Sequence, residues 1–214
     1  MTVIFSEAFT RADNDSLGAN WLEMTGTDWD IFSNQLRLVA ATTTPGNVST
    51  TTTAHAAIAN CEVSVKQVTN PAGFDAGPVA RATDVDSAPT LYMCDCYGTV
   101  MECYRHNNSA TGTLVGTGQT ITLATNTTIK IKVTGAGATV TIDMAYGGTT
   151  KTVTDSSASR LTAAGQTGII SWLNAAIDWD DFSVDDLVGA AANISFKPYY
   201  DKGTRMMGPG VAIN

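Results

Sequence analysis

Charge is scarce in this sequence, and positive charge scarcer still. Only 15% of its 214 residues are Asp, Glu, Lys or Arg, and the net charge is −8. No stripe of Lys and Arg stands ready to release counterions from a phosphate backbone, which argues against nucleic acid or an anionic membrane as partner. No window approaches the ~20 apolar residues of a spanning helix, so no membrane insertion is expected. A sustained helical period is missing too, which removes long amphipathic helices from the plan. The four cysteines, Cys61, Cys94, Cys96 and Cys103, are too few and too clustered for a disulfide framework. Met1 leads directly into strand-like Val3-Ile4-Phe5 without a basic or apolar leader. The expectation is a chain made in the cytoplasm with reduced thiols. Only two histidines occur, His55 and His106, and there is no G-x-S-x-G, so a nucleophilic constellation is not expected.

What the sequence has is threonine, valine and glycine in short alternating runs. Period-two patterning predicts strands near 3–9, 28–32, 35–40, 56–68, 77–83, 90–97, 100–106, 118–124, 127–134, 138–146, 149–155, 166–173 and 176–186. Gly135-Ala136-Gly137 and Gly147-Gly148 read as hairpin turns, and Thr42 to Asn47 as a polar loop, with a strand beginning near Ser49. About a dozen short strands at this spacing predict an all-β fold of two packed antiparallel sheets. The first run, Phe5 to Asp13, is answered by the last, Ile177 to Val184, so the two ends are expected to pair. Residues 1–187 then form one sandwich, and 188–214 an appendage.

The clearest local unit is Leu91 to Tyr97, then Gly98-Thr99, then Val100 to His106. Glycine at the first turn position suits a two-residue type II′ hairpin. That register sets Tyr97 against Val100, Asp95 against Glu102 and Cys94 against Cys103. Tyr92, Cys94, Cys96, Met101 and Cys103 then share an apolar core face. Met93, Asp95, Tyr97, Glu102, Tyr104 and His106 share the opposite one. Two acids directly across a ladder repel, and Arg81 on the preceding strand is the expected compensating charge.

Four segments carry a family resemblance: Phe9-Thr10-Arg11-Ala12-Asp13 with Leu17-Gly18-Ala19-Asn20-Trp21; Trp29-Asp30-Ile31; Gly77-Pro78-Val79-Ala80-Arg81; and Asp155-Ser156-Ser157 through Gly165-Gln166-Thr167-Gly168 to Asp180-Asp181-Phe182. In order and spacing the chain resembles the concanavalin A-like lectin/glucanase jelly rolls, in particular the laminin-G-like modules of phage and environmental bacterial proteins. The resemblance implies a jelly-roll sandwich across residues 5–186. It leaves function open, because such modules serve glycan binders, hydrolases and virion parts alike. The glucanase strand motif Glu-x-Asp-x-x-Glu is absent; the nearest strand, Thr141 to Ala145, has one acid, Asp143.

The site expected from the residues is a glycan platform of Tyr97 and Tyr104 flanked by Asp95, Glu102, Arg81 and His106 on the concave sheet face. The plainer reading is a solvated sheet face where tyrosine simply favours strands. Asp178, Asp180, Asp181, Asp185 and Asp186, with Asp13 and Asp15, offer oxygen ligands for a structural calcium. The plainer and preferred reading is a solvated acidic edge that discourages sheet-to-sheet pairing. The cysteine spacing fits no zinc site, so no other cofactor is expected. Cys94 and Cys103, opposite each other, would bridge only if oxidised.

After the small-residue linker Val188 to Asn193, the segment to Asn214 is apolar and broken by Pro and Gly. Phe196, Tyr199, Tyr200, Met206, Met207, Val211 and Ile213 can anchor it on a neighbouring subunit, while Lys197, Lys202 and Arg205 face an acidic body. Together these features point to a non-enzymatic virion part (capsid decoration, head fibre or tail component), joined to other subunits or to itself through the arm. The alternatives are a polysaccharide hydrolase or lyase using Asp95 and Glu102, and an extracellular carbohydrate-binding module.

Overall fold

Alternation of β-branched and polar residues turns nearly every patterned run into a strand. The computed structural model describes residues 1–14, 16–24, 27–39, 46–69, 75–84, 88–171 and 177–187. Within them the strands are β1 (Thr2–Glu7), β2 (Trp21–Glu23), β3 (Trp29–Phe32), β4 (Gln35–Leu38), β5 (Gly46–Thr50), β6 (Cys61–Gln67), β7 (Ala76–Asp84) and β8 (Thr90–Tyr97). The series continues with β9 (Val100–His106), β10 (Thr113–Leu114), β11 (Gln119–Thr120), β12 (Thr127–Thr134), β13 (Val140–Tyr146), β14 (Thr149–Asp155), β15 (Gln166–Ser171) and β16 (Asp178–Asp186).

They form two eight-stranded antiparallel sheets. The first runs β14-β13-β12-β6-β16-β4-β3, with β1 also on β16. The second runs β10-β9-β8-β7-β15-β5-β2, with β11 also on β9. The first and last described strands pair, from Thr2 opposite Asp186 to Glu7 opposite Phe182, so the expected pairing of the two runs holds for Phe5–Glu7 and Phe182–Val184. An aromatic cluster ties this seam to the second sheet. Trp21 meets Phe182 at 5.0 Å and Phe5 at 5.9 Å between ring centroids, both edge-on.

The two outer faces differ. In the first sheet, β6 and β13 alternate strictly, sending Val63, Val65, Ile142 and Met144 into the core. Their outward residues are polar and ion-paired, as in Lys130–Glu62 and Lys132–Asp143. In the second sheet, β8 and β15 are buried on both faces. Tyr92, Cys94, Cys96, Met101 and Cys103 face the main core, as the hairpin register requires. Val79, Ala82, Leu91, Met93 and Ile170 form a second apolar cluster on the far side. All four cysteines are free and buried.

Several boundaries move. The expected loop ends sooner, because β5 already starts at Gly46. The predicted strand 56–68 begins at Cys61, with Ile58 held by a single bridge to Gly165. β2 and β10, three and two residues long, are too short to show a period. The arm, 188–214, lies outside the described residues, as does Asp15.

Candidate functional site

The hairpin of β8 and β9 builds the site. Gly98 takes φ 56°, which the two-residue turn demands and a side chain would resist. The turn fixes the register, with Asp95 opposite Glu102 and Tyr97 opposite Val100. Met93, Asp95, Tyr97, Glu102, Tyr104 and His106 consequently share the outer face of the second sheet. They line an open pocket of about 250 Å³ together with Asp75, Thr111 and Gly112. Gly112 closes one wall: a Cβ there would stand 2.8 Å from His106 Nε2 and 3.0 Å from the Tyr104 ring.

The electrostatics are dominated by acids. Asp95 is only 4% exposed, and burial pushes its carboxyl well above the ordinary 3.8, with neighbouring Asp75 and Glu102 pushing the same way. Asp75 is raised too, first by burial. Hydrogen bonding between the two carboxyls favours the protonated form of Asp95 and the charged form of Asp75. The Ala76 amide also donates to Asp95, yet Asp95 Oδ1 is buried with no partner among the described residues. Tyr104 Oη donates to Glu102 Oε2 at 3.0 Å, and burial together with Glu102 raises that phenol to about 12. Burial lowers His106, so its ring is neutral, with Nδ1 against the Ser109 carbonyl at 3.0 Å. Tyr97, 52% exposed, stands at the rim.

No protein-family model matches this chain, and no curated protein matches it in sequence. Solved structures do. The carbohydrate-binding module CBM66 from Bacillus subtilis is similar with a TM-score of 0.53 at 12% identity, over 78% of this chain and 93% of that one. A xylan β-1,4-xylosidase from Bacillus halodurans C-125 gives 0.52 at 14% identity, over 85% of this chain but 39% of the enzyme. The CBM2 module of the evolved Dit of Lactobacillus casei BL23 phage J-1 gives 0.50 at 12%, over 85% and 94%. The fold is the concanavalin A-like lectin/glucanase jelly roll.

On this jelly roll five of the six residues expected at the glycan platform converge, and Arg81 does not. Val79 and Met93 pair on the outer face and Ala80 with Tyr92 on the inner, so simple alternation would send Arg81 outward. Instead Arg81 adopts φ 56° at a bulge, and the strand's parity flips there. Its side chain turns inward, 1% exposed, and donates to the carbonyls of Ala59, Leu161 and Gly135. Asp95 and Glu102 are therefore not neutralised by Arg81.

Asp75 is the residue that sequence reasoning missed. It precedes β7 in a stretch without periodicity, and the available signal was an acid two residues before Gly77-Pro78-Val79. The acids proposed for calcium disperse. Asp178 accepts two hydrogen bonds from Arg37, at 2.5 and 2.9 Å, while Lys66 lies near Asp180 and Asp181. Asp13 accepts from the Ser33 amide. Among the described residues, no group of three or more His, Cys, Asp or Glu is placed to hold a metal ion.

Proposed function

We propose that the chain is a non-enzymatic glycan-binding module, with the sugar seated in the pocket between Tyr97 and Tyr104. The observation that carries this is the pocket itself, an exposed tyrosine at the rim of a recess floored by polar groups. Its volume, about 250 Å³, sits just below the range of roughly 300–1,000 Å³ common for drug-sized ligands. That suits one sugar unit of a longer glycan. The Tyr97 ring offers the apolar stacking face, and Glu102, Asp75 and Thr111 offer hydrogen-bonding groups. The jelly-roll likeness to a carbohydrate-binding module adds support.

The finer reading is an adhesive part of a virion, attached to other subunits or to itself through residues 188–214. The likeness to a module of a phage Dit supports it. So does the composition of that segment, whose Lys197, Lys202 and Arg205 complement a chain of net charge −8. The test is retention on a glycan array by the full chain. Tyr97→Ala with Tyr104→Ala should lower retention at least about tenfold, since each stacking contact contributes ~0.5–1.5 kcal/mol. Unaltered retention would remove the pocket from the proposal.

One observation favours a hydrolase instead. Burial favours the protonated form of Asp95, a second carboxyl, Glu102, lies opposite it, and glycoside hydrolysis uses an acid and a carboxylate in such a pair. Against it, the Asp95 carboxyl is already hydrogen-bonded to Asp75. Release of reducing sugar from mixed plant and algal glycans, abolished in Glu102→Gln, would establish the enzyme.

A further inference from the structure

The pocket holds three carboxyl groups, and no Lys or Arg stands among its lining residues. Arg81 has turned to the far side of its sheet. Arg37 and Arg105 are paired with Asp178 and Asp155, and Lys66, Lys130 and Lys132 with acids of the first sheet. One oxygen, Asp95 Oδ1, is buried and unpartnered within a residue that is 4% exposed. Natural structures seldom leave a buried acceptor in that condition.

We infer that the pocket selects glycans bearing a free ammonium, that is amino-sugar units without an acetyl group, and seats that ammonium among Asp75, Asp95 and Glu102 with the sugar ring against Tyr97. This rests on the glycan reading above and names the chemistry of its ligand. A neutral hydroxyl could satisfy one oxygen but would leave the acids uncompensated. An ammonium brings one positive charge and three donors to a recess whose ionisable groups are mostly acids. The tyrosine faces attract a cation as well. A metal ion fits less well, because among the described residues no three such groups are placed at its short coordination distances, whereas an ammonium is held at longer hydrogen-bond distances and needs only one or two of the acids directly.

Proton linkage follows from the same geometry. To face an ammonium as a carboxylate, Asp95 must release its proton. Asp75, Glu102, Tyr97, Tyr104 and His106 are the other titratable groups lining the pocket. Of these only His106 could carry a positive charge, and its burial favours the neutral ring. Affinity therefore rises with pH until the ligand amine itself deprotonates.

The test is titration calorimetry of the full chain, at physiological ionic strength, with glucosamine oligomers and with N-acetylglucosamine and glucose oligomers of equal length. The free amine should bind at least about tenfold more tightly than its acetylated counterpart. Asp95→Asn and Glu102→Gln, both nearly isosteric, should each bring the three ligands toward parity, and Tyr97→Ala should weaken all three. Equal affinity for all three overturns the ammonium inference and leaves glycan binding standing. An amine preference that survives both acid variants also overturns it, since the acidic surface as a whole would then be the attractant. Binding of a lysine-rich peptide as tight as that of the amino sugar, and indifferent to Tyr97→Ala, removes the sugar from the assignment. If no oligomer binds, the inference fails, and the glycan array decides the parent reading separately.

Discussion

At position 95 three influences act in one direction. Burial, Asp75 and Glu102 all disfavour the carboxylate, so folding holds a proton that the unfolded chain releases at ordinary acidity. The folded pKa lies above the unfolded one, near 3.8, so stability is full below that value and declines as pH rises toward the folded pKa. Asp95→Asn should therefore raise the thermal midpoint at neutral pH by several degrees, with the gain shrinking toward zero as pH falls below about 4. Calorimetric melts across pH check it, and a variant less stable than wild type at neutral pH would show that the charged form is the native one. The sequence disclosed the company of Asp95 on β9 but not the residue just before β7. A two-residue turn fixes every partner in the hairpin, whereas Asp75 comes from an aperiodic approach that no register constrains.

At the scale of the element, a single bulge decides what β7 does. Arg81 leaves the ligand face and fastens three connections, after β5, between β12 and β13, and between β14 and β15, through the carbonyls of Ala59, Gly135 and Leu161. Arg81→Ala should cost on the order of 3 kcal/mol or more, because three acceptors lose a charged donor. Urea unfolding measures the loss. Glycan retention in the cold should be unchanged, which a residue of the pocket would not allow. β9 and β14 show the complementary case. Arg105 bonds Asp155 at 2.7 Å across the two sheets, and Tyr92 Oη donates to the same carboxylate. Burial alone would raise Asp155, but bonds from Ser157, Arg105 and Tyr92 outweigh it and hold the pKa below 3.8. This contribution is present above the unfolded pKa and disappears as pH falls through the folded one. Asp155→Ala should destabilise by about 3–5 kcal/mol at neutral pH, leaving Arg105 buried without its counter-ion. In acid the difference from wild type should narrow, opposite to the behaviour of Asp95→Asn. Alternation exposed most strands to prediction because one face of each is core. It could not locate the parity flip at Arg81, since a bulge need not alter the apolar count of a strand.

Across the whole molecule, the matched ends that suggested closure in the sequence do pair, and the aromatic cluster of Phe5, Trp21 and Phe182 locks the seam. Phe182→Ala should cost about 3–5 kcal/mol in urea unfolding, more than an ordinary surface change, because it removes a large side chain from that cluster. A chain ending at Leu187 retains every described strand, and a thermal midpoint below that of the full length would measure what association through residues 188–214 adds. Light scattering should show an oligomer in the full chain alone if residues 188–214 attach subunits, and two monomers would remove that role. The position of β16 has a further consequence. The last of the described strands is an interior one, lying between β6 on one side and β4 and β1 on the other. At ~5–20 residues per second, a ribosome needs on the order of ten seconds to go from β6 to β16. Throughout that interval β6 and β4 lack the strand that separates them in the finished sheet, and their facing edges have no partner there. Unpaired edges of this kind are templates for pairing with another chain, so aggregation during synthesis should grow with the density of nascent chains.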